Sequence, residues 1–333
     1  MKVPLIEINE LEIGYTSSKS LIPPFSQQVN EGAFIALIGS NGTGKSTLLK
    51  TISGILEPLS GTVLLNKRSV KDYSNEDKAL MVSIVLTDLP VDYYIRTEDV
   101  VALGRYPHIG FWGRLGKHDK LIVEESMLLC GISHLKGRTM VSLSDGERQK
   151  TLIAKALAQD TPIIILDEPA AFLDYPAKIE LMQLLKSLIV SKKKTVIFSS
   201  HDLDLVLRNA DTIWAMSPGM PIISGSPEKL VVDGFINNYF DRNSLTFDTE
   251  FGQFTDQNTS GLKVYVSADI PHIRWVKNAL LRNGLQLTAI QVSDIQIESN
   301  NNQYVLYYAA ESYFCRDIDI LIQQITELCS KIK

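Results

Sequence analysis

The sequence lacks cysteine pairs, long apolar runs and a signal-peptide pattern, and each absence excludes a class of protein. Its 333 residues include three cysteines, Cys130, Cys315 and Cys329, which form no CxxC pair. A zinc cluster or disulfide scaffold is therefore not expected, and the thiols are expected to stay reduced. No apolar run reaches the roughly 18 residues that a membrane-spanning helix needs. The N-terminus, MKVPLIEINE, lacks a charged segment followed by an apolar core, so no signal peptide is predicted and a cytoplasmic location is expected.

The sequence also lacks an excess of positive charge. Lysine and arginine number 33 against 38 acidic residues, which gives a net charge of −5. Proteins that bind nucleic acids are usually basic or carry a basic stripe, so no nucleic-acid partner is expected. The hydrophobic share of 45% and the charged share of 21% are typical of globular proteins. The length favours one large domain and a smaller one.

Apolar segments alternate with amphipathic ones in the first two thirds of the chain. Continuous apolar runs in residues 34–39, 162–169 and 195–202 predict buried strands. Residues 147–159 and 175–194 have the spacing of helices. This alternation predicts an α/β core built on a parallel sheet.

The character of the chain changes after about residue 240. A polar, turn-rich stretch is followed by segments that predict a strand, a helix, a strand region, a turn, a strand and a helix. We therefore expect a main domain over residues 1–238, mostly helical between about 88 and 160, and a small α+β accessory domain over 239–333.

A glycine-rich segment with the pattern G-x-x-x-x-G-K-[ST] lies between the first buried strand and a helical segment. It consists of Gly39, Ser40, Asn41, Gly42, Thr43, Gly44, Lys45 and Ser46. Glycines let backbone N–H groups converge on phosphate oxygens, and the helix N-terminus adds partial positive charge. Lys45 is predicted to reach the β- and γ-phosphates of a nucleotide, and Ser46 to ligate Mg²⁺.

Two acidic residues follow the apolar run IIIL. Asp167 ends this predicted strand and can hold Mg²⁺, usually through water. Glu168 is then placed beside the γ-phosphate, where it can polarise the attacking water as a general base. An Asp-Glu pair at a strand end is common, but together with the phosphate loop it predicts nucleotide hydrolysis.

The segment Leu143–Gln149, LSDGERQ, heads the helix that follows it. Here the chain resembles the nucleotide-binding subunits of ABC transporters, whose signature is LSGGQ-like. The resemblance implies contact with ATP on the opposite subunit through Ser144, Asp145, Gly146 and Glu147. Asp145 replaces the usual Gly, and Glu147 replaces the usual Gln. Ser144 and Glu147 also have the spacing of a capping box, and both interpretations can hold together.

The resemblance implies the fold and further site residues. The fold is that of a P-loop NTPase with a helical subdomain, and the cofactors are ATP and Mg²⁺. Tyr15 matches the aromatic residue that stacks on adenine, and the ATP-binding set extends to Thr47. Asp174 matches the D-loop and is expected at the dimer seam. His201 matches the switch histidine that contacts the γ-phosphate.

One position departs from the family pattern. Thr87 stands where the family usually has a Gln that contacts Mg²⁺ and the attacking water. Its hydroxyl could ligate a metal or water, but the side chain is shorter. Either a water bridges the gap, or Asp88 substitutes, or coupling is altered.

The segment Val101–His108, VALGRYPH, resembles a stretch of importers for ferric siderophores, haem and cobalamin. In that family this region docks on the permease, so permease contact is expected near residues 88–112. Aromatic residues nearby could anchor it. They are Tyr93, Tyr94, Phe111 and Trp112.

The function expected from the resemblance is ATP hydrolysis that energises such an importer. Two copies are expected to bind two ATP molecules head-to-tail, on the inner face of the plasma membrane. A periplasmic or extracellular solute-binding protein is expected as an indirect partner.

Alternatives to this function are a soluble ABC-type ATPase in translation or DNA repair, and an ATP-binding sensor without turnover. Residues 239–333 are either a stability or dimerisation module or a small-molecule-sensing domain.

Overall fold

A computed structural model of the chain describes residues 4–15, 20–86, 94–109, 113–236, 245–248, 253–256, 262–270, 272–288, 290–300 and 303–332. The chain divides into two compact units, Met1–Asp233 and Gly234–Lys333. The division falls after Asp233, whereas the sequence pattern placed a boundary after residue 238. Within the described ranges, the helices are too short or too polar to cross a membrane.

The first unit contains two sheets. Its strands are β1 (Ile6–Glu12), β2 (Phe25–Val29), β3 (Phe34–Gly39), β4 (Ser60–Leu65), β5 (Arg68–Ser69), β6 (Val82–Val85), β7 (Ile163–Leu166), β8 (Thr195–Ser200), β9 (Thr212–Met216) and β10 (Ile223–Gly225). The larger sheet has the order β10-β9-β3-β8-β7-β6, and its strands pair in parallel except for β10. The smaller sheet is antiparallel, in the order β2-β1-β4-β5. The predicted α/β core is confirmed.

Helices join the strands of the first unit. They are α1 (Lys45–Ile52), α2 (Asn75–Met81), α3 (Thr97–Ala102), α4 (Lys117–Leu129), α5 (Asp145–Ala158), α6 (Tyr175–Lys192), α7 (Leu203–Asn209) and α8 (Pro227–Val232). Every residue of β3, β7 and β8 is buried, because helices and the smaller sheet cover the parallel sheet. The phosphate loop, the Asp-Glu pair and the switch histidine thus follow neighbouring strands whose carboxyl ends share one edge.

The helical part of the first unit is closely packed around Gly104, in a 3-10 segment over Leu103–His108. A Cβ at Gly104 would lie 2.2 Å from the Lys155 carbonyl oxygen of α5. Arg105 is buried, and its guanidinium donates to Asp119 Oδ1 at 3.0 Å and to the Ala158 carbonyl at 2.8 Å. His108 Nε2 lies 2.8 Å from the Gln159 carbonyl oxygen. The VALGRYPH segment therefore fastens the start of α4 to the end of α5.

The second unit has a two-stranded and a five-stranded sheet. Its elements are β11 (Leu245–Asp248), β12 (Gln253–Asp256), β13 (Lys263–Val266), α9 (Ile273–Arg282), β14 (Gln286–Leu287), β15 (Ile295–Asn300), β16 (Gln303–Tyr308), β17 (Glu311–Cys315) and α10 (Ile318–Ile332). The five strands have the order β14-β13-β15-β16-β17. Helices α9 and α10 and one face of this sheet share an apolar core that includes Val276, Leu306 and Leu321.

Strand β17 is absent from the sequence prediction. It pairs antiparallel with β16 across a two-residue turn, Ala309–Ala310, whose φ angles are +48° and +70°. Such turns usually carry Asn-Gly or Gly-Gly, because other residues avoid positive φ. Because neither turn residue is Gly or Asn, the sequence pattern gives no signal for this hairpin.

Candidate nucleotide-binding and hydrolysis site

The phosphate loop follows β3 and ends at the first turn of α1. Gly42 and Gly44 have φ angles of +81° and +99°, in the left-handed region that favours glycine. No side chain among the described residues caps α1 at Gly44, so the N–H groups of its first turn remain available to an anion. Lys45 Nζ donates to the carbonyl oxygens of Gly39 at 2.9 Å and Ser40 at 3.2 Å. The ammonium group is thus held inside the loop.

Close packing under the loop explains its first glycine. A Cβ at Gly39 would lie 2.6 Å from the Met216 carbonyl oxygen of β9 and 2.9 Å from Thr43 Oγ1. Thr43 is buried, and its hydroxyl donates to the Ser40 carbonyl oxygen at 2.9 Å. Asn41 and Ser40 are exposed at the top of the loop. Gly39 and Thr43 are therefore closely packed against the sheet, whereas Ser40 and Asn41 face solvent.

The charge environment of Lys45 connects the loop to the acidic pair. Burial lowers the pKa of Lys45 below its usual range, while the carboxylates of Glu168 and Asp167 raise it in part. The loop follows β3 and the acidic pair follows β7, and both strands flank β8, so the ammonium group and the two carboxylates lie at the same edge of the sheet. A phosphate at the loop would add negative charge there and favour the protonated lysine.

A chain of hydrogen bonds joins the acidic pair to the next strand. Ser199 Oγ donates to Asp167 Oδ1 at 2.6 Å and accepts from the Glu168 backbone N–H at 2.8 Å. Glu168 Oε2 lies 3.0 Å from His201 Nδ1. Asp167 is buried, whereas His201 is largely exposed. The predicted base and the predicted γ-phosphate contact therefore meet at the rim of the site.

The donor set fits a magnesium ion bound together with a nucleotide. Asp167 supplies a buried carboxylate and Ser46 a half-buried hydroxyl, which are hard oxygen ligands. Among the described residues there is no cluster of three or more His, Cys, Asp or Glu side chains able to hold a metal.

Two further predicted ATP contacts lie side by side. Tyr15 is 69% exposed, so its ring is accessible to an adenine base. Its hydroxyl lies 3.2 Å from Thr47 Oγ1 in α1. Thr47 is itself buried, so its hydroxyl braces the tyrosine rather than facing solvent.

The signature segment forms the capping box that the spacing predicts. Ser144 Oγ accepts from the Glu147 N–H at 3.3 Å, and the Ser144 N–H donates to Glu147 Oε2 at 2.8 Å. Because Glu147 faces back onto Ser144, this residue supports the helix start. Asp145 pairs with Arg148 Nη1 at 2.8 Å on the exposed side of α5.

The signature and the D-loop are in contact. A Cβ at Gly146 would lie 3.3 Å from the Phe172 carbonyl oxygen and 3.4 Å from Leu173 Cδ2. Asp174 caps α6 by accepting from the Ala177 N–H at 2.9 Å. The structure thus brings together the segments predicted to act across a dimer seam, and Phe172 beside them is exposed.

The sequence interpretation missed two groups at the site. Ser199 was part of an apolar strand motif, and nothing in its spacing indicated its contacts. Lys178 Nζ forms an ion pair with Asp202 Oδ2 at 2.9 Å, next to the switch histidine. Burial raises the pKa of Asp202, but Lys178 and the Leu205 N–H outweigh this and hold it below its usual range.

Several predicted residues lie outside the described ranges. These are Thr87, Asp88, Tyr93, Phe111 and Trp112. Tyr94, at the edge of the described part, is 83% exposed.

Two segments of the chain match known families. Residues 23–171 match the family described as "ABC transporter", and residues 261–326 match the one described as "Iron ABC transporter C-terminal domain". The first segment contains the phosphate loop, the signature and the acidic pair. The second lies within the second unit.

Curated relatives cover most of the first unit. An uncharacterized ABC transporter ATP-binding protein of Methanocaldococcus jannaschii is 36% identical over 254 residues, 76% of this chain and 87% of that protein. The ferric enterobactin transport ATP-binding protein FepC of Escherichia coli is 33% identical over 239 residues, 72% of this chain and 88% of that protein.

Solved structures show the same architecture. The structure of cbiO1 from Clostridium perfringens, part of the ABC transporter complex cbiONQ, has a TM-score of 0.60 and 27% identity, covering 71% of this chain and 93% of that one. An ATP-binding cassette solved as a dimer with ADP and phosphate has a TM-score of 0.60 at 22% identity, covering 67% and 98%. At that identity the likeness shows the fold.

Proposed function

The chain belongs to the ATP-binding subunits of ABC transporters, and we propose that it hydrolyses ATP to drive import of a ferric siderophore, haem or cobalamin. The relatives named for ferric enterobactin and other siderophores support this choice of cargo, as do those named for cobalamin. The match of the second unit to an iron-transporter C-terminal domain supports it too.

One observation carries the catalytic part of the proposal. Lys45 follows β3 and the pair Asp167 and Glu168 follows β7, and these two strands flank β8, so the three charged residues lie at the same edge of the sheet. In the proposed reaction, a water oxygen attacks the γ-phosphorus as the bond to the ADP oxygen breaks. Glu168 accepts the proton of that water, while Lys45 and the loop N–H groups stabilise the phosphate charge. Bound Mg²⁺, held by Ser46 and Asp167, supplies further charge neutralisation.

The proposal includes a second copy of the chain. In the head-to-tail arrangement, Ser144 and Gly146 face the γ-phosphate of ATP bound to the partner copy. Asp174 then lies at the seam. The support is that Ser144 is exposed at the start of the signature helix and that Gly146 lies beside the D-loop. His201 contacts the γ-phosphate from its own side, so closure of the dimer depends on the nucleotide state.

A permease is the proposed membrane partner. The docking region is near residues 88–112, on the cytoplasmic face of the plasma membrane, with a solute-binding protein as an indirect partner. Exposed aromatic side chains support this region, since Tyr94 is 83% and Tyr106 63% exposed. A soluble ATPase of translation or DNA repair is not favoured, because the two relatives named above are ABC transporter or transport ATP-binding proteins.

Two points remain proposals from the sequence. Thr87 either acts through a bridging water, is replaced by Asp88, or alters coupling. The second unit is either a stability or dimerisation module or a sensor of a small molecule. Comparing ATP hydrolysis by wild type and Thr87→Gln addresses the first, and removal of residues 239–333 addresses the second.

The experiment that tests the proposed function is affinity purification of the full chain from gently solubilised membranes, followed by an ATPase assay of the eluate. We expect a multi-spanning permease in equal amount, together with ATP hydrolysis that Lys45→Ala abolishes. Recovery of a ribosome or a DNA-repair complex instead would contradict the importer assignment.

A further inference from the structure

The hydroxyl of Ser199 bridges the two acidic residues of the site. Its Oγ lies 2.6 Å from Asp167 Oδ1 and 2.8 Å from the Glu168 backbone nitrogen. The side chain is fully buried, so water does not compete for these contacts. The hydroxyl uses its proton for the carboxylate and a lone pair for the N–H.

The position of Ser199 follows from the strand register. The last paired residues of β7 and β8 are Leu166 and Phe198, so Ser199 stands beside Asp167 where β7 ends. On its other side, Ser199 pairs with Leu37 of β3, the strand that leads into the phosphate loop. Strand β8 therefore carries Ser199 between the two strands that support the site.

The backbone conformation of Glu168 is unfavourable, so its hydrogen bond to Ser199 matters for the position of this residue. Glu168 has a φ angle of +48°, in the left-handed region that non-glycine residues disfavour. Such a conformation persists only when its surroundings hold it. The Ser199 oxygen accepts the N–H of this residue, and the Glu168 carboxylate then reaches His201 at 3.0 Å.

We propose that Ser199 is a positioning residue for ATP hydrolysis. Its hydroxyl fixes the carboxylate of Asp167 and the strained backbone of Glu168 together, so that the metal ligand and the base keep one relative placement. This inference rests on the proposed roles of Asp167 and Glu168. It adds a residue that acts through them and does not touch the nucleotide.

A second buried serine in the same sheet offers a matched control. Ser83 in β6 is fully buried, and its Oγ has no hydrogen-bond partner among the described residues. Ser83→Ala therefore removes the same atom from a similar strand without breaking a contact. The difference between the two Ser→Ala variants isolates the bridge.

The experiment uses the purified full chain and three measurements. These are kcat and KM for ATP, the Mg²⁺ concentration that half-saturates binding of a non-hydrolysable fluorescent ATP analogue, and the melting temperature without nucleotide. We expect Ser199→Ala to lower kcat by about tenfold or more, with KM for ATP within about twofold. The half-saturating Mg²⁺ concentration should rise by about threefold or more.

Conservative variants decide between positioning and general stability. Ser199→Thr keeps the hydroxyl and should restore most of the turnover and the Mg²⁺ response. Ser199→Cys, similar in size but a poor hydrogen-bonding group, should resemble Ser199→Ala and replaces it if the alanine variant is unfolded. Ser83→Ala should match wild type.

Two results would overturn the inference. One is a Ser199→Ala kcat equal to that of Ser83→Ala. The other is a fall in melting temperature with no change in the Mg²⁺ response, which indicates a purely structural serine. Failure of the proposed function gives a different result, because Glu168→Gln would then hydrolyse ATP at the wild-type rate whatever stands at position 199.

Discussion

His201 Nδ1 lies 3.0 Å from Glu168 Oε2, although the two residues follow different strands of the sheet. Glu168 is mostly buried and His201 mostly exposed, so the contact joins the interior of the site to its surface. The pair therefore links the proposed base to the residue that is proposed to contact the γ-phosphate.

This relationship leads to the first prediction, for Glu168→Gln. The amide keeps the size and the contact with His201 but cannot accept a proton from water. We expect hydrolysis to fall by about 100-fold or more while ATP binding is retained. Light scattering of the variant with ATP should show a persistent dimer. Glu180→Gln, on the exposed side of α6, is the control and should hydrolyse ATP normally; equal rates for both variants would remove Glu168 as the base.

The second prediction concerns the phosphate loop. Lys45→Ala removes the ammonium group held at 2.9 Å from the Gly39 carbonyl oxygen. We expect ATP turnover to fall by about 100-fold or more, since a charge that stabilises the transition state is lost. Lys50→Ala, in the last turn of the same helix, should leave turnover close to wild type. Steady-state phosphate release measures both, and near-normal turnover in Lys45→Ala would refute the loop assignment.

The third prediction concerns the ion pair between the buried Arg105 and the partly buried Asp119. Arg105→Ala removes the ion-pair partner of Asp119 and the guanidinium donor to the Ala158 carbonyl oxygen. We expect the free energy of unfolding to fall by about 3 kcal/mol, measured by urea denaturation at pH 7. Lys136→Ala removes one member of an exposed pair and should change it little. Similar losses in both variants would contradict a special role for the Arg105–Asp119 pair.

The same pair predicts a pH dependence of stability. Burial raises the pKa of Asp119, but the Gly116 N–H and Arg105 outweigh this and hold it below the usual 3.8. The ionised carboxylate therefore stabilises the fold above that value, and the stabilisation is lost as pH falls through the folded-state pKa. Asp119→Asn should be less stable than wild type at pH 7, and the difference should shrink below about pH 3.8. If the difference in the free energy of unfolding between wild type and Asp119→Asn stays constant down to pH 3, the ionised carboxylate does not stabilise the fold.

The fifth prediction concerns Gly104. An added methyl group would lie 2.2 Å from the Lys155 carbonyl oxygen, so α5 must shift. We expect Gly104→Ala to lower the free energy of unfolding by about 2 kcal/mol, as overpacking does. Gly116→Ala in the same region would meet its neighbour at 3.4 Å and should be tolerated. Thermal denaturation separates the two, and equal stability would argue against close packing at Gly104.

The sequence by itself determined the α/β class and the order of the nucleotide-binding motifs. Local physical requirements explain this success. A phosphate loop needs glycines at fixed positions, seen in the positive φ angles of Gly42 and Gly44. A strand buried on both faces needs a continuous apolar run, as in residues 34–39. The capping box of Ser144 and Glu147 is equally local, because its partners are three residues apart.

Tertiary structure decided the features that depend on residues distant in sequence. Ser199 reaches Asp167 across 32 positions, and Arg105 reaches Ala158 across 53. Neither contact has a periodicity or spacing that a sequence pattern could reveal. The turn at Ala309–Ala310 contains no glycine that would indicate it in the sequence. The pairing of β16 with β17 imposes the positive φ angles of these two residues. Local chemistry fixes the parts of this site, whereas packing between distant strands fixes how its carboxylates are held.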